Sequence, residues 1–186
     1  MVGGPGTVDP RRMAPTLTFV FDPYCARSVA AAPSVLELWR SHRGRAAFEA
    51  VHAGTATARL GLGPDSERSA RAFCALRAAA PSLALPIAVE LHRGERLGRS
   101  VLVDIALRVG LDPARVFDEL RRPGRRERAR VELERGRTLQ LGSGPTLLFE
   151  QDRIVTSLPL EQERLATLVD SLLAQGATAP ECLRMV

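Results

Sequence analysis

The sequence has no lysine, only three cysteines and no long apolar run, and each shortage excludes something. No stretch approaches the roughly 20 apolar residues that a bilayer-spanning helix needs, so no membrane segment is expected. The opening residues, MVGGPGTVDPRRMAP, lack the apolar centre of a secretory signal. They read as a disordered lead-in, with Met1 or Met13 as the start and the cytoplasm as the expected compartment. Cys25, Cys74 and Cys182 are too few and too scattered for a disulfide framework. None stands at a metal-ligating spacing from another Cys or from His42, His52 or His92. No phosphate loop and no paired-carboxylate motif stands out.

Every basic residue is arginine, and the formal net charge is +5. The abundance of Ala, Gly and Pro beside it points to a compositional bias rather than to a selected nucleic-acid surface. The charge peaks in ELRRPGRRERARVELERGR, residues 119–137. A basic run without interleaved aromatics reads as a solvated helix face with Glu–Arg pairs, and nucleic acid is not an expected partner.

What is present has a clear order. TLTFVF, residues 16–21, is short, β-branched and aromatic, and Asp22-Pro23 stops it: a strand. Residues 25–41 repeat Val29, Ala32, Leu36 and Trp39 at helical spacing, with Pro33 expected to kink the helix. Residues 46–54 suggest a second strand carrying Phe48 and Val51. A Gly-rich loop follows, over residues 55–65. Ser66 is placed to cap a helix running to about Ala80, with Ala70, Phe73 and Leu76 inward. Pro86 falls in the first turn of a helix ending near Leu91. Leu102, Ile105, Ala106 and Val109 form one stripe, stopped by Gly110. Asp112 and Pro113 make a strong N-cap and N1 pair for a helix with Val116, Phe117 and Leu120 on its face. The Arg-rich helix comes next. Residues 145–150 and 153–157 flank Gln151-Asp152 as a hairpin, and a last helix covers about Leu160 to Ala174, with Leu165, Leu168, Val169 and Leu172 inward.

The order β-α-β, helices, β-β-α suggests an α/β chain interrupted by a helical insertion. Three blocks resemble the DsbA family, a thioredoxin-like fold with inserted helices, in its FrnE-like or protein-disulfide isomerase branch. FDPYCARSVAAAP is similar to that branch's D-P-x-C-x-x-C block, helix proline included. VELHRGERLGRSVLVDIALRVGLDPARVFDEL resembles the insertion, and LGSGPTLLFE the stretch with the family's cis-proline. The resemblance implies a thioredoxin-like domain over 16–60 and 138–175, a helical insertion over 61–137, a lead-in over 1–15 and a flexible tail over 176–186. It also implies a cis bond before Pro145. Two departures touch the expected site. Ser28 replaces the second cysteine, and Gly144 stands where Val or Thr is more common.

On this resemblance Cys25 and Ser28 are the candidate catalytic pair. Tyr24, Ala26, Arg27, Gly144 and Pro145 are the candidate substrate-contacting residues, Gly144 leaving a wider site. A thiol at a helix N-terminus faces unpaired N–H groups and a favourable dipole, so Cys25 is placed to act as a nucleophile. Ser28 could donate to its sulfur or be what a lost cysteine left behind; both readings stay open. Three functions compete. The first is a monothiol thiol–disulfide oxidoreductase or isomerase, with Cys25 forming mixed disulfides that an external thiol resolves. The second is a glutathione-dependent transferase or isomerase of the kappa or hydroxychromene carboxylate isomerase type. The third is a non-catalytic thioredoxin-like binding module. The expected partners are protein or low-molecular-weight thiols and disulfides. No tightly bound cofactor is expected, and glutathione is a candidate co-substrate. Cys74 reads as core and Cys182 as incidental.

Overall fold

The computed structural model describes residues 14–54, 64–92, 97–141, 144–151, 154–158, 160 and 165–178. Four strands form one sheet: β1 (Thr16–Phe21), β2 (Ala47–His52), β3 (Thr146–Gln151) and β4 (Ile154–Leu158). Their spatial order is β2-β1-β3-β4. β1 runs parallel to β2 and antiparallel to β3, and β3 and β4 are antiparallel. The parallel pair needs a crossover, which the helix between them supplies. The hairpin register sets Gln151 opposite Ile154; residue 153 of the expected second strand lies outside the described residues. The expected turn residue Asp152 lies outside the described residues, as do residues 1–13 of the expected lead-in over 1–15 and residues 179–186 of the expected tail over 176–186, whose residues 176–178 are helical.

β1 is the central strand, and its period of two divides the core. Leu17, Phe19 and Phe21 join Leu147, Phe149 and the helical residues Val35 and Leu38 in one large cluster. Val20 faces the other way, with Leu148, Ala53 and Leu139. The helices are α1 (Ala26–His42), α2 (Pro64–Ala79), α3 (Ala84–Leu91), α4 (Arg99–Arg108), α5 (Pro113–Arg121), α6 (Arg125–Leu139) and α7 (Leu165–Thr178), with a short 3₁₀ turn, Pro81–Leu83, before α3.

The local signals are met where they are strongest. The Asp112 carboxylate accepts from the Ala114 N–H at 2.9 Å, with Pro113 as the first residue of α5. Gly110 takes a φ of +76° after α4, and the Leu111 N–H reaches back to the Ala106 carbonyl at 2.8 Å. That is the six-to-one bond of a Schellman stop. Other expectations shift. α1 buries Ser28, Ala31, Ala32, Val35, Leu38 and His42, while Val29 is 43% exposed. A scan for apolar residues misplaces this stripe because two of its members are polar. The His42 ring makes up for its polarity by contacting the Leu38 carbonyl at 3.1 Å and Asp170 of α7 at 3.3 Å. α2 begins at Pro64, so Ser66 lies inside its first turn, buried, rather than at the cap. α7 is described from Leu165 to Thr178; residues 161–164 of the expected helix lie outside the described residues.

α6 does not present only a solvated face. Ala129, Glu132, Leu133 and Gly136 form a buried stripe along it. Its C-terminal half lies over the end of β2 so closely that an ideal Cβ on Gly136 would sit 2.4 Å from the His52 carbonyl oxygen and 2.5 Å from the Ala53 Cα. Both are backbone atoms and cannot move aside as a flexible side chain can. Beyond this contact the second face of the sheet is partly open. A groove of about 650 Å³ lies there, bounded by Thr18, Leu148, Thr138 and Glu134, on the side away from α1.

Gly136→Ala must therefore push α6 off β2. The variant is expected to lose about 1–3 kcal/mol or more, the range of an overpacked core. Urea denaturation of wild type and variant checks it, and an unchanged midpoint would contradict the close approach.

Candidate functional site

The site begins where β1 runs out. Phe21 is the last paired residue, opposite His52. The next residue, Asp22, is buried, and its backbone N–H donates to Ser28 Oγ at 3.1 Å. Its carboxylate accepts from the Tyr24 N–H at 3.0 Å, closing an Asx turn around Pro23. The Cys25 N–H then donates to the Asp22 carbonyl at 3.1 Å. Three short bonds thus turn the chain from strand to helix within four residues.

Cys25 is the N-cap of α1, with extended φ and ψ of −87° and 119°. Its carbonyl accepts the first helical bond, from the Val29 N–H at 3.0 Å. No side chain caps this end, and the first turn holds no acidic residue. The half-buried Cys25 therefore stands at the positive end of a 17-residue helix whose first turn carries no acid.

Ser28 lies one turn further on and is fully buried. The hydrogen bond it makes runs to Asp22, across the strand-to-helix turn, and not to Cys25. Asp22 was legible in the sequence only as a turn former. Its burial, weakly offset by the Tyr24 N–H, raises its carboxyl above the ordinary carboxylate range. No local pattern signals such burial.

Tyr24 is half-exposed, and its hydroxyl donates to the Asp65 carbonyl at 3.4 Å, so the turn before Cys25 touches the first turn of α2. Ala26 is exposed. Arg27 does not simply point into solvent. Its guanidinium lies across Gly144, where an ideal Cβ would meet the guanidinium carbon at 3.3 Å. The missing side chain at 144 therefore admits Arg27 and does not leave the site wider, as the sequence suggests. The register brings these residues together: Thr146 pairs with Val20, which sets Gly144 and Pro145 beside the end of β1. The Gly144 carbonyl accepts from Gln140 Nε2 at 3.1 Å.

The expected cis bond before Pro145 is not found; no cis peptide bond occurs among the described residues. An X-Pro bond favours trans by about 0.5–1 kcal/mol unless its surroundings oppose it, and a glycine at 144 offers no side chain to do so.

Behind the turn lies a cluster the sequence did not announce. Phe21 stacks among Phe73, His52 and His92, with centroid distances of 5.1, 5.2 and 5.4 Å. His52 is fully buried. Its Nδ1 accepts from the Gly54 N–H at 3.0 Å, and its Nε2 lies 2.8 Å from Ser69 Oγ. Burial, aided by His92, pulls its pKa down to about 3, so the ring stays neutral. His92 caps the C-terminus of α3 and packs on Phe19 and Phe21; burial lowers its pKa to about 4. Cys74 lies half-buried on α2, its sulfur 3.9 Å from the Arg128 carbonyl of α6. Burial, then Glu132, pushes its thiol up to about 11, which leaves it inert. Cys182 lies outside the described residues. No cluster of metal-binding side chains and no helix long and apolar enough to cross a membrane occurs among the described residues.

A central strand with a parallel and an antiparallel neighbour, a thiol at the following helix N-terminus and helices inserted before the hairpin define the DsbA-like version of the thioredoxin fold. Solved structures agree. The chain is similar to a protein from Nitrosomonas europaea provisionally named a protein disulfide isomerase, at TM-score 0.69 and 16% identity, over 88% of this chain and 99% of that one. It is also similar to the cytosolic disulfide reductase DsbM from Pseudomonas aeruginosa, at 0.67 and 19%, over 86% and 98%. Reduced DsbA1 from Neisseria meningitidis follows the same path at 0.64 and 14%, over 91% and 88%. No family model matches the sequence, and no curated protein is significantly similar to it. The likeness is one of fold.

Two substitutions test the turn. Ser28→Ala leaves the buried Asp22 N–H without an acceptor and is expected to cost about 1–3 kcal/mol, measured by chemical denaturation. Asp22→Asn keeps the acceptor for Tyr24 and removes the buried charge. Because burial raises the Asp22 pKa, the stability it contributes is full below the ordinary value of 3.8 and is lost as pH rises through the raised one. The asparagine variant should therefore melt above wild type at pH 7, with the difference closing as pH falls toward 4. Parallel melting curves at every pH would contradict the buried carboxyl.

Proposed function

We propose that this chain is a thiol–disulfide oxidoreductase or isomerase of monothiol type, with Cys25 as the nucleophile. The observation that carries the reading is the placing of Cys25: the uncapped, acid-free N-terminus of α1, with a buried serine one turn on. The Cys25 thiolate attacks one sulfur of a substrate disulfide. The S–S bond breaks, a mixed disulfide forms on Cys25, and the other sulfur leaves as a thiolate that takes a proton. Position 28 holds no sulfur, so a second, external thiolate must attack the mixed disulfide. That step forms a new disulfide with the released group and returns the Cys25 thiolate. Disulfides are thus exchanged with no net change in the protein.

Glutathione is the proposed second thiol. DsbM from Pseudomonas aeruginosa, which shares the fold, has also been solved with GSH, which supports this choice. Arg27, two residues after Cys25 in the chain, lies across Gly144 and puts a positive charge at that turn. This chemistry suits a compartment where reduced thiols are abundant, in keeping with a cytoplasmic protein.

Treatment with glutathione disulfide followed by intact-mass analysis tests the proposal. One glutathionyl group is expected on Cys25, lost on adding reduced glutathione and absent from Cys25→Ser. In Ser28→Cys the adduct should be displaced by an internal disulfide. Glutathione bound without an adduct would favour the transferase reading, and an adduct mapping to Cys74 or Cys182 would overturn the proposal.

A further inference from the structure

Away from Cys25, residues of four helices line a second, open cavity of about 460 Å³, within the range of small-ligand sites. Five arginines line it: Arg68 and Arg71 of α2, Arg99 of α4, Arg121 of α5 and Arg125 of α6. They come from four helices, and only Arg121 and Arg125 belong to the Arg-rich run of the sequence. Among the described residues no carboxylate lines the cavity; Glu119 lines a smaller neighbouring pocket with Arg71 and Arg125. Among the described residues Arg68 and Arg121 pair with exposed i,i+3 partners, Asp65 at 3.8 Å and Asp118 at 3.1 Å. Among the described residues no carboxylate pairs with Arg71, Arg99 or Arg125. The Arg99 guanidinium is held 5.0 Å over the Phe117 ring, which fixes its direction. The N-terminus of α4 opens on the same space at Gly98, with no side-chain cap and no acid in its first turn. Below this rim the floor is apolar: Leu97, Leu102, Phe117 and Leu120.

Like charges gathered around one space repel one another, and an anion placed among them relieves that repulsion. Guanidinium forks match the oxygens of a phosphate in pairs, and an uncapped helix N-terminus adds backbone donors. The apolar floor calls for a ligand with a body as well as a head. We propose that this cavity binds a small phosphate monoester with an apolar or aromatic body. The head lies among Arg71, Arg99 and Arg125, and the body rests on Leu102 and Leu120. The site is independent of the thiol chemistry proposed above. A polymer of nucleic acid fits less well, because the one aromatic ring lining the cavity among the described residues, Phe117, already carries the Arg99 guanidinium over it.

Calorimetric titration of the full chain with 1-naphthyl phosphate, inorganic phosphate and 1-naphthol tests this. The ester should bind at least about tenfold more tightly than either fragment, as head and body each contribute. The double variant Arg71→Gln/Arg125→Gln should bind it at least about tenfold more weakly, the effect of losing one charge-assisted contact. Arg40→Gln/Arg130→Gln, which removes the same charge from exposed positions outside the cavity, should bind as wild type does. Should the first double variant melt below wild type, Arg99→Gln alone repeats the comparison. No binding by about 1 mM, equal affinity for inorganic phosphate, or equal weakening by the control variant would each overturn the site. A single-stranded oligonucleotide that binds through the same arginines more tightly than the ester would overturn the small ligand in favour of nucleic acid.

Discussion

One backbone N–H governs the geometry of the thiol. At Asp22 the central strand ends, and the Asp22 N–H is buried with no strand to receive it. Ser28 Oγ accepts it from inside the first turn of α1. This bond fixes the distance between the end of β1 and the start of the helix, and so fixes Cys25 as N-cap. The Asx turn at Asp22 and the Cys25 N–H bond work in the same four residues. A buried donor left unpaired costs more than an ordinary hydrogen bond contributes. The turn therefore has little freedom, and the sulfur inherits its rigidity.

A second buried polar knot holds the inserted helices to the sheet. Glu132 of α6 is buried and meets Arg77 of α2 in a bidentate pair at 2.6 and 3.1 Å. The same carboxylate accepts the His52 N–H at the end of β2, at 3.0 Å, and Arg77 also reaches the Ala50 carbonyl at 3.2 Å. A buried ion pair is favourable only when its remaining donors and acceptors are also met, and here they are met by strand backbone. The knot closes over Phe73, whose ring carries the Arg77 guanidinium at 4.9 Å. α2 is thereby set with its first turn against Tyr24, which links the inserted helices to the turn that holds Cys25.

What the sequence made legible was local. Asp112-Pro113 starts a helix and Gly110 stops one because each device satisfies groups within a few residues of itself. The strand, the Cys25 N-cap and the hairpin are read for the same reason. The misreadings share a cause as well. The stripe of α1 includes Ser28 and His42, whose burial depends on Asp22 and on Asp170 far along the chain. Glu132 looks like one more charge in a solvated run until Arg77 and His52 are placed around it. Gly144 suggests an open site until the antiparallel register brings Arg27 across it. Polar burial is set by partners distant in sequence, and no periodicity carries that information.

The serine at position 28 can now be weighed as more than a lost cysteine. Sulfur is a weak hydrogen-bond acceptor, while a hydroxyl oxygen is a good one. The Asp22 N–H it serves is fully enclosed, so the difference in acceptor strength is felt without relief from water. A sulfur drawn toward Cys25 would also turn away from Asp22, and the two tasks compete for one atom. In this chain the atom at position 28 is committed to holding the turn. The residue that holds the turn before Cys25 is thus also the one that offers it no second sulfur. On the function proposed above, a mixed disulfide on Cys25 would persist until an outside thiol reached it.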